Sequence, residues 1–135
     1  MFTTPKSRLL QEAKDSTSPY AIYTRKLLVG GREILTDPEG YILHMDEWSD
    51  AYAVALAQQE GLTLTDEHWA VIGFIRDYYE EHSVQAQVRD MIRHFRATWG
   101  ADRSSSRYLH DLFPLGGPQK QGNRLAGIRK TKGEH

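Results

Sequence analysis

Residues 84–100, VQAQVRDMIRHFRATWG, carry the clearest structural signal in the chain. Their apolar residues recur at the three- and four-residue spacing of an α-helix, which places them on one face. The pattern stops at Gly100, a residue suited to a helix C-terminus. The stretch therefore predicts an amphipathic helix with an inner face formed by Val84, Val88, Met91, Ile92, Phe95 and Trp99.

Three further helices are predicted around this one. The first runs from a cap at Asp46 to about Glu60. The second begins after Thr65, whose side-chain oxygen can accept a hydrogen bond from a backbone amide of the first turn. The last runs from about Ser105 to Phe113 and stops before a proline. Four helices in 135 residues make the chain mainly α.

A small β-hairpin is predicted ahead of the helices. Lys26–Val29 and Arg32–Thr36 flank a Gly30-Gly31 pair, and two glycines suit a two-residue hairpin turn because both central positions can take a positive φ. Asp37–Gly40 has the composition of a second turn. Tyr41–His44 is then predicted as a short third strand.

Length and composition limit the class of protein. A chain of 135 residues suits one domain with one core, and residues 1–22 are predicted to be a flexible extension. No apolar run is long enough for membrane insertion, and the N-terminus lacks the apolar core of a secretory signal, so a cytoplasmic protein is expected. The chain contains no cysteine, which excludes disulfides and thiol catalysis within it.

Charge is distributed unevenly along the chain. Residues 36–82 hold 11 acidic residues and 1 basic residue, whereas residues 83–135 hold 10 basic and 4 acidic ones. The predicted partner-binding residues all lie in the basic part: Arg89, Arg93, Arg96, Arg103, Arg107, Arg124, Arg129, Lys130 and Lys132. The first three share one helix face. Three interpretations stay open for this set, namely a solvated surface, a site for an acidic protein, and a nucleic-acid site on helices arranged like a helix-turn-helix.

The sequence offers little for catalysis. Its histidines are spread out with no HExxH motif, so no metal site is predicted. Paired carboxylates such as Asp66-Glu67 and Glu80-Glu81 are typical of solvated helix surfaces and caps. Nucleophile and phosphate-binding motifs are missing as well. We therefore expect a protein that is not an enzyme and has no cofactor.

Several motifs in order resemble the DsrC/TusE family, which comprises the gamma subunit of dissimilatory sulfite reductase and a sulfur-relay protein of tRNA thiolation. These motifs are GREILTDPEGYILHMDEWS, LAQQEGLTLTDEHWAVIGFIRDYYEE, RYLHDLFPLGGPQKQ and RLAGI, within residues 26–135. The resemblance implies a helical bundle with a small N-terminal β-hairpin over residues 23–115 and a flexible C-terminal arm over 116–135. It also implies partners among sulfur-relay or sulfite-reductase proteins.

The departures from the family concern the arm. Family members carry sulfur on arm cysteines, and the resemblance places Asn123 and Glu134 at those two positions. Neither side chain can hold a persulfide sulfur. Two prolines usual in the family's arm are replaced by Arg129 and Thr131, which implies a more flexible arm.

The hypotheses that follow differ in class. The first is a non-catalytic, regulatory protein of sulfur metabolism that binds the family's partners without carrying sulfur. The alternative is a DNA-binding transcriptional regulator that uses the basic helices. A third keeps some indirect form of sulfur carriage, with no residue of this chain to accept the sulfur covalently.

Overall fold

The computed structural model describes residues 24–130. These residues form one β-hairpin followed by five α-helices. Short 3-10 helices lie at Met45–Glu47 and Asp102–Ser104. The residues predicted as an N-terminal extension, 1–22, lie outside this range. The bounds are β1 Arg25–Val29, β2 Arg32–Thr36, α1 Asp50–Gln59, α2 Asp66–His82, α3 Val88–Trp99, α4 Ser106–Leu112 and α5 Gly117–Leu125.

The hairpin forms as predicted. Strands β1 and β2 are antiparallel, with Val29 opposite Arg32, and the turn glycines have φ values of +57° and +83°. Alternate residues of β1 point to the core, so Leu27 is buried whereas Leu28 is exposed. The predicted third strand is reduced to a single bridge between Thr36 and Ile42, because Leu43 makes only one further backbone bond to β2 before the chain turns away.

Capping decides where the helices begin. The prediction of Thr65 as the cap of α2 is confirmed, since its side chain accepts a hydrogen bond from the His68 amide. The prediction of Asp46 as the first cap is wrong. Asp46 lies in a 3-10 turn, and Ser49 instead caps α1 by accepting a hydrogen bond from the Tyr52 amide.

Helix α3 is shorter than its apolar pattern predicts. It begins at Val88, where Gln87 and Asp90 form a reciprocal capping box. Val84 was expected on the inner face but precedes the helix and is 56% exposed. Met91 and Phe95 are buried as expected. The apolar spacing therefore predicted a helix that begins before the observed N-cap, Gln87.

Helix α5 was not predicted, and it corrects the start of the C-terminal arm. Residues 116–135 were expected to form a flexible arm, yet Gly117–Leu125 is a helix that contacts α1, α2 and α4. Its sequence, GPQKQGNRL, gives no helical apolar stripe, but six of its residues are buried. The residues that follow α5 are buried as far as Ile128. The last two described residues, Arg129 and Lys130, are exposed.

The core lies between the hairpin and the helices, with α5 packed against α1, α2 and α4 and the hairpin against α1. Its largest fully buried side chains include Tyr52, Ile72, Met91, Leu109 and Phe113. The prediction of a mainly α bundle with a small N-terminal hairpin is confirmed. Within residues 24–130 there is no helix with the length and apolarity that spanning a membrane requires.

Leu109→Ala provides a test of this core. Leu109 is fully buried on α4, so truncation should lower the free energy of unfolding by about 2–5 kcal/mol. Leu115→Ala is the matched control, because that side chain is 49% exposed and its loss should cost less than about 0.5 kcal/mol. Urea denaturation measures both. Equal effects would contradict the assignment of α4 to the core.

Candidate functional site

The base of the C-terminal arm is held by an aromatic and a cationic side chain. Trp48 donates from Nε1 to the Leu125 carbonyl oxygen at 2.8 Å, and Arg76 donates from Nη1 to the Ala126 carbonyl oxygen at 2.8 Å. The Arg76 guanidinium also lies 3.8 Å from the centre of the Trp48 ring, within cation–π range. Both carbonyls at the end of α5 are therefore satisfied by α2 and by the segment before α1. We call this group the arm-base clamp.

Gly127 lets the chain pass under the clamp. Its φ is +72°, a conformation that favours glycine, and a Cβ there would lie 2.2 Å from Trp48 Cδ1. No side chain fits in that space without displacing the indole. Burial lowers the pKa of Arg76, and the nearby Glu80 and Asp50 oppose that effect.

The chain stays on the body beyond the clamp. Gln85, in the α2–α3 loop, donates from Nε2 to the Arg129 carbonyl oxygen at 3.3 Å. Lys130 then forms an ion pair with Glu39 of the turn after β2. The hydrogen bond and charge of Lys130 lower the pKa of Glu39. The described start of the arm, Arg129 and Lys130, thus runs from the α2–α3 loop toward the turn that follows β2.

A buried ionic network lies at the other side of α5. The Glu60 carboxylate accepts hydrogen bonds from Arg124 Nε at 3.0 Å, Arg124 Nη2 at 3.1 Å and Gln121 Nε2 at 2.8 Å. The Arg124 and Glu60 side chains are only 11% and 12% exposed. Burial alone would lower the pKa of Arg124, but the hydrogen bond and charge of Glu60 raise it overall. Arg124 was a predicted partner-binding residue, and this network instead assigns it to the fold.

Asn123 is the residue that the family resemblance places at the upstream sulfur-carrying position. Its side chain is fully buried, and Nδ2 donates to Gln85 Oε1 at 3.2 Å. Its Oδ1 is buried with no hydrogen-bond partner among the described residues. Since Gln85 also bonds the Arg129 backbone, one amide links the Asn123 position to the start of the arm. The other position, Glu134, lies outside the described residues.

The remaining predicted basic residues divide into exposed and engaged groups. Arg89, Arg93 and Arg96 are exposed along one face of α3, and Arg107 is exposed on α4. Arg129 is exposed where the arm begins. These five keep their guanidinium groups available, and their role in binding stays a prediction.

Three other predicted partner-binding residues either form ion pairs within the protein or lie outside residues 24–130. Arg103 pairs with Glu67 of α2, and its guanidinium lies 5.9 Å from the centre of the Tyr108 ring. Lys130 pairs with Glu39, as described above. Lys132 lies outside residues 24–130. Within the described residues, no group of three or more histidine or carboxylate side chains could hold a metal ion.

Sequence reasoning missed the residues that fix the arm base. The sequence analysis singled out neither Trp48 nor Arg76 as a site residue, and Glu60 and Gln85 were likewise not recognised. Their partners lie 77, 50, 64 and 44 positions away along the chain. No local sequence pattern reports such contacts.

These features define a small helical protein. Its bundle has a polar central helix, and the segment that follows this helix is held against the bundle where the C-terminal arm begins. Comparison with known families identifies the family to which it belongs. The family model described as DsrC like protein matches residues 28–133. The chain belongs to the DsrC/TusE family, so the resemblance seen in the sequence is confirmed.

Individual relatives agree with this assignment. The chain is 44% identical to the sulfurtransferase TusE homolog of Haemophilus influenzae, over 77% of this chain and 94% of that protein. It is 40% identical to sulfurtransferase TusE of Escherichia coli, with the same coverage. These relatives are named for sulfur transfer, which makes this chain a member of a sulfur-relay family.

Solved structures show the same fold. DsrC of Allochromatium vinosum, determined by NMR, has a TM-score of 0.71 and 37% identity, covering 82% of this chain and 97% of that one. The oxidised gamma subunit of the dissimilatory sulfite reductase from Archaeoglobus fulgidus has a TM-score of 0.74 and 32% identity, covering 81% and 98%. None of these names refers to DNA, so the nucleic-acid interpretation receives no support from the relatives.

Gly127→Ala tests the arm-base clamp. The added Cβ should displace Trp48 and destabilise the protein by about 1–3 kcal/mol beyond the backbone cost of a positive φ. Gly61→Ala is the matched control, because its φ is +75° and nothing lies within 4 Å of a Cβ there. Urea denaturation gives the difference, and the Trp48 indole NMR signal should move only in the first variant. Equal destabilisation would contradict the close packing at Gly127.

Lys130→Ala tests whether the arm begins on the body. Because Lys130 lowers the pKa of Glu39, its removal should raise that pKa toward the ordinary value for glutamate. The pairing itself should be lost as the pH falls through the pKa of Glu39. Carboxyl NMR titration of Glu39 measures the change. Lys120→Ala, which removes a charge without a hydrogen bond, should raise the pKa less, and an unchanged pKa in Lys130→Ala would place the arm elsewhere.

Proposed function

We propose that this protein binds the protein partners of the DsrC/TusE family without carrying sulfur, and that it thereby regulates sulfur transfer. Its partners are a sulfurtransferase or a sulfite reductase that handles a cysteine-bearing family member. By occupying the same partner surface, it reduces the access of the sulfur carrier. In this role it is not an enzyme and needs no cofactor.

The observation that carries the proposal is a family scaffold without a thiol. The 135 residues contain no cysteine, and persulfide carriage on a protein side chain requires one. The position of the upstream family cysteine holds Asn123, whose buried amide is linked to the arm through Gln85. An amide at this position can hold the arm by hydrogen bonding but cannot accept sulfur.

The surface we assign to partner binding has two parts. One is the arm, with Arg129 at its exposed start and Lys132 and Glu134 further along the sequence. The other is the row of exposed arginines on α3, with Arg107 on α4. Guanidinium groups bind carboxylates with two hydrogen bonds, so an acidic surface of the partner is the expected counterpart.

DNA binding has less support than protein binding. Arg103, one of the predicted basic residues near these helices, is already paired with Glu67. Asp77 and Glu81 lie exposed on α2, which forms one groove with α3, and would repel phosphates brought to the α3 arginines. Binding of a protein partner is therefore the function that the geometry supports better.

Competition binding tests the proposal. A cysteine-bearing family member from the same host is immobilised and loaded with its purified sulfurtransferase or sulfite reductase, and this protein is added in solution. We expect it to displace the partner in proportion to concentration. A variant with Arg89→Ala, Arg93→Ala and Arg96→Ala should displace it at least about tenfold less well. Failure of the unaltered protein to bind any partner that the cysteine-bearing member binds would refute the proposal.

Glu134→Cys tests the loss of sulfur carriage directly. Incubated with a persulfide donor, the unaltered protein should gain no sulfur, whereas the cysteine variant should gain about 32 Da by mass spectrometry. Glu134→Ser is the matched control, because it is nearly isosteric with cysteine and has no thiol. A stable adduct on the unaltered protein would revive sulfur carriage and contradict the proposal.

A further inference from the structure

An open groove runs between α2 and α3. Its volume is about 750 Å³, and its floor is aromatic, with Phe74 and Tyr78 from α2 and Trp99 from α3. The rings are packed against each other: Phe74 lies 4.4 Å from His94 and Phe95 stacks on Trp99 at 4.1 Å. The floor is only partly covered, so apolar surface stays accessible to another molecule.

The two walls of the groove carry opposite charge. On α2, Asp77 and Glu81 are one turn apart, line the groove and are exposed. On α3, Arg93 lines the groove, and Arg89 and Arg96 lie one turn to either side on the same face.

These charges do not neutralise one another within the chain. Among the described residues no ion pair joins the α2 carboxylates to the α3 arginines, and Glu81 has only His82 within reach, at 3.8 Å. Asp90 also lines the groove, but its carboxylate already accepts the backbone amide of Gln87. The groove thus keeps an acidic wall and a basic wall whose charges are available for partners outside the chain.

We propose that a second copy of this chain occupies the groove, with a two-fold axis parallel to it. Rotation by 180° about this axis places the two protomers face to face and swaps the two walls of the second one. Helix α2 of each protomer therefore faces α3 of the other, and each acidic wall meets a basic one. A partner of uniform charge would match one wall and repel the other. A second copy matches both walls.

The register of the helices supports this pairing. Helices α2 and α3 are joined by a short loop, and Phe74 contacts His94, which fixes their relative level. Asp77 and Glu81 follow Phe74 toward the loop, and Arg93 and Arg89 precede His94 toward the same loop. A two-fold axis along the groove preserves level, so the carboxylates of one protomer meet Arg93 and Arg89 of the other.

The size of the surface sets the strength of the association. Helix α3 has 12 residues and is therefore about 18 Å long, so the patch is smaller than the about 800 Å² per partner of a typical stable interface. We expect a reversible dimer with a Kd of roughly 10–100 µM. Arg93 belongs both to this surface and to the arginine row assigned to partner binding, so the two associations compete.

Charge reversal tests the dimer. Sedimentation equilibrium of the full chain should show a monomer–dimer equilibrium that weakens with salt. Asp77→Arg with Glu81→Arg, or Arg89→Glu with Arg93→Glu, should each weaken self-association at least about tenfold, since like charges then face each other. Mixing the two variants should restore a dimer, because each reversed wall again meets its opposite. This restoration also shows that both variants are folded.

Tryptophan NMR signals locate the interface. On dilution of the unaltered protein the Trp69 and Trp99 indole signals, which report on the groove, should shift with the dissociation. Trp48 is the internal control, because its indole is held in the arm-base clamp and should not shift. A monomer at millimolar concentration, a dimer insensitive to both reversals, or a mixture that fails to associate would each overturn the proposal. None of these outcomes involves a sulfur-relay partner, so the function proposed above would be unaffected.

Discussion

The Glu60 carboxylate holds a polar helix in the centre of this protein. Helix α5 has almost no apolar side chains, yet it packs against three other helices. Its burial is possible because Gln121 and Arg124 both donate to Glu60 and so bring their polar groups into the bundle satisfied. An unpaired buried guanidinium would cost several kcal/mol. The carboxylate at the end of α1 thus stabilises the buried position of α5.

The arm-base clamp depends on that position. Once α5 is in place, its last carbonyls point at Trp48 and Arg76, and Gly127 turns the chain beneath the indole. Both hydrogen bonds are accepted by backbone carbonyls, so they do not depend on the side chains of Leu125 and Ala126, although residue 127 must stay glycine. The base of the arm is therefore held in a chain that contains no cysteine. The arm can change its chemistry without changing where it leaves the body.

The surface beside the arm has a different character. Helices α2 and α3 present opposite charges across one aromatic groove, and within residues 24–130 no ion pair joins the two sets. Unpaired charge on exposed helices contributes little to stability, but it selects partners and their orientation. An arginine row that serves both an acidic partner and a second copy would link the concentration of free protein to its occupancy of the partner. Regulation of this kind needs no reaction and no cofactor.

The sequence by itself determined the hairpin, the cap at Thr65, the amphipathic α3 and the family, because these depend on neighbouring residues or on motifs in order. It also determined the loss of the thiols, which is a matter of composition. Only the tertiary structure decided that 117–125 is a central helix rather than an arm, and that Arg124 is internal rather than a contact. The physical reason is that Arg124, the Asn123 amide nitrogen and the Leu125 carbonyl of this segment are bonded by Glu60, Gln85 and Trp48, at least 38 positions distant. A local pattern reports the residues near it, whereas burial of a polar helix depends on partners that only the folded chain brings together.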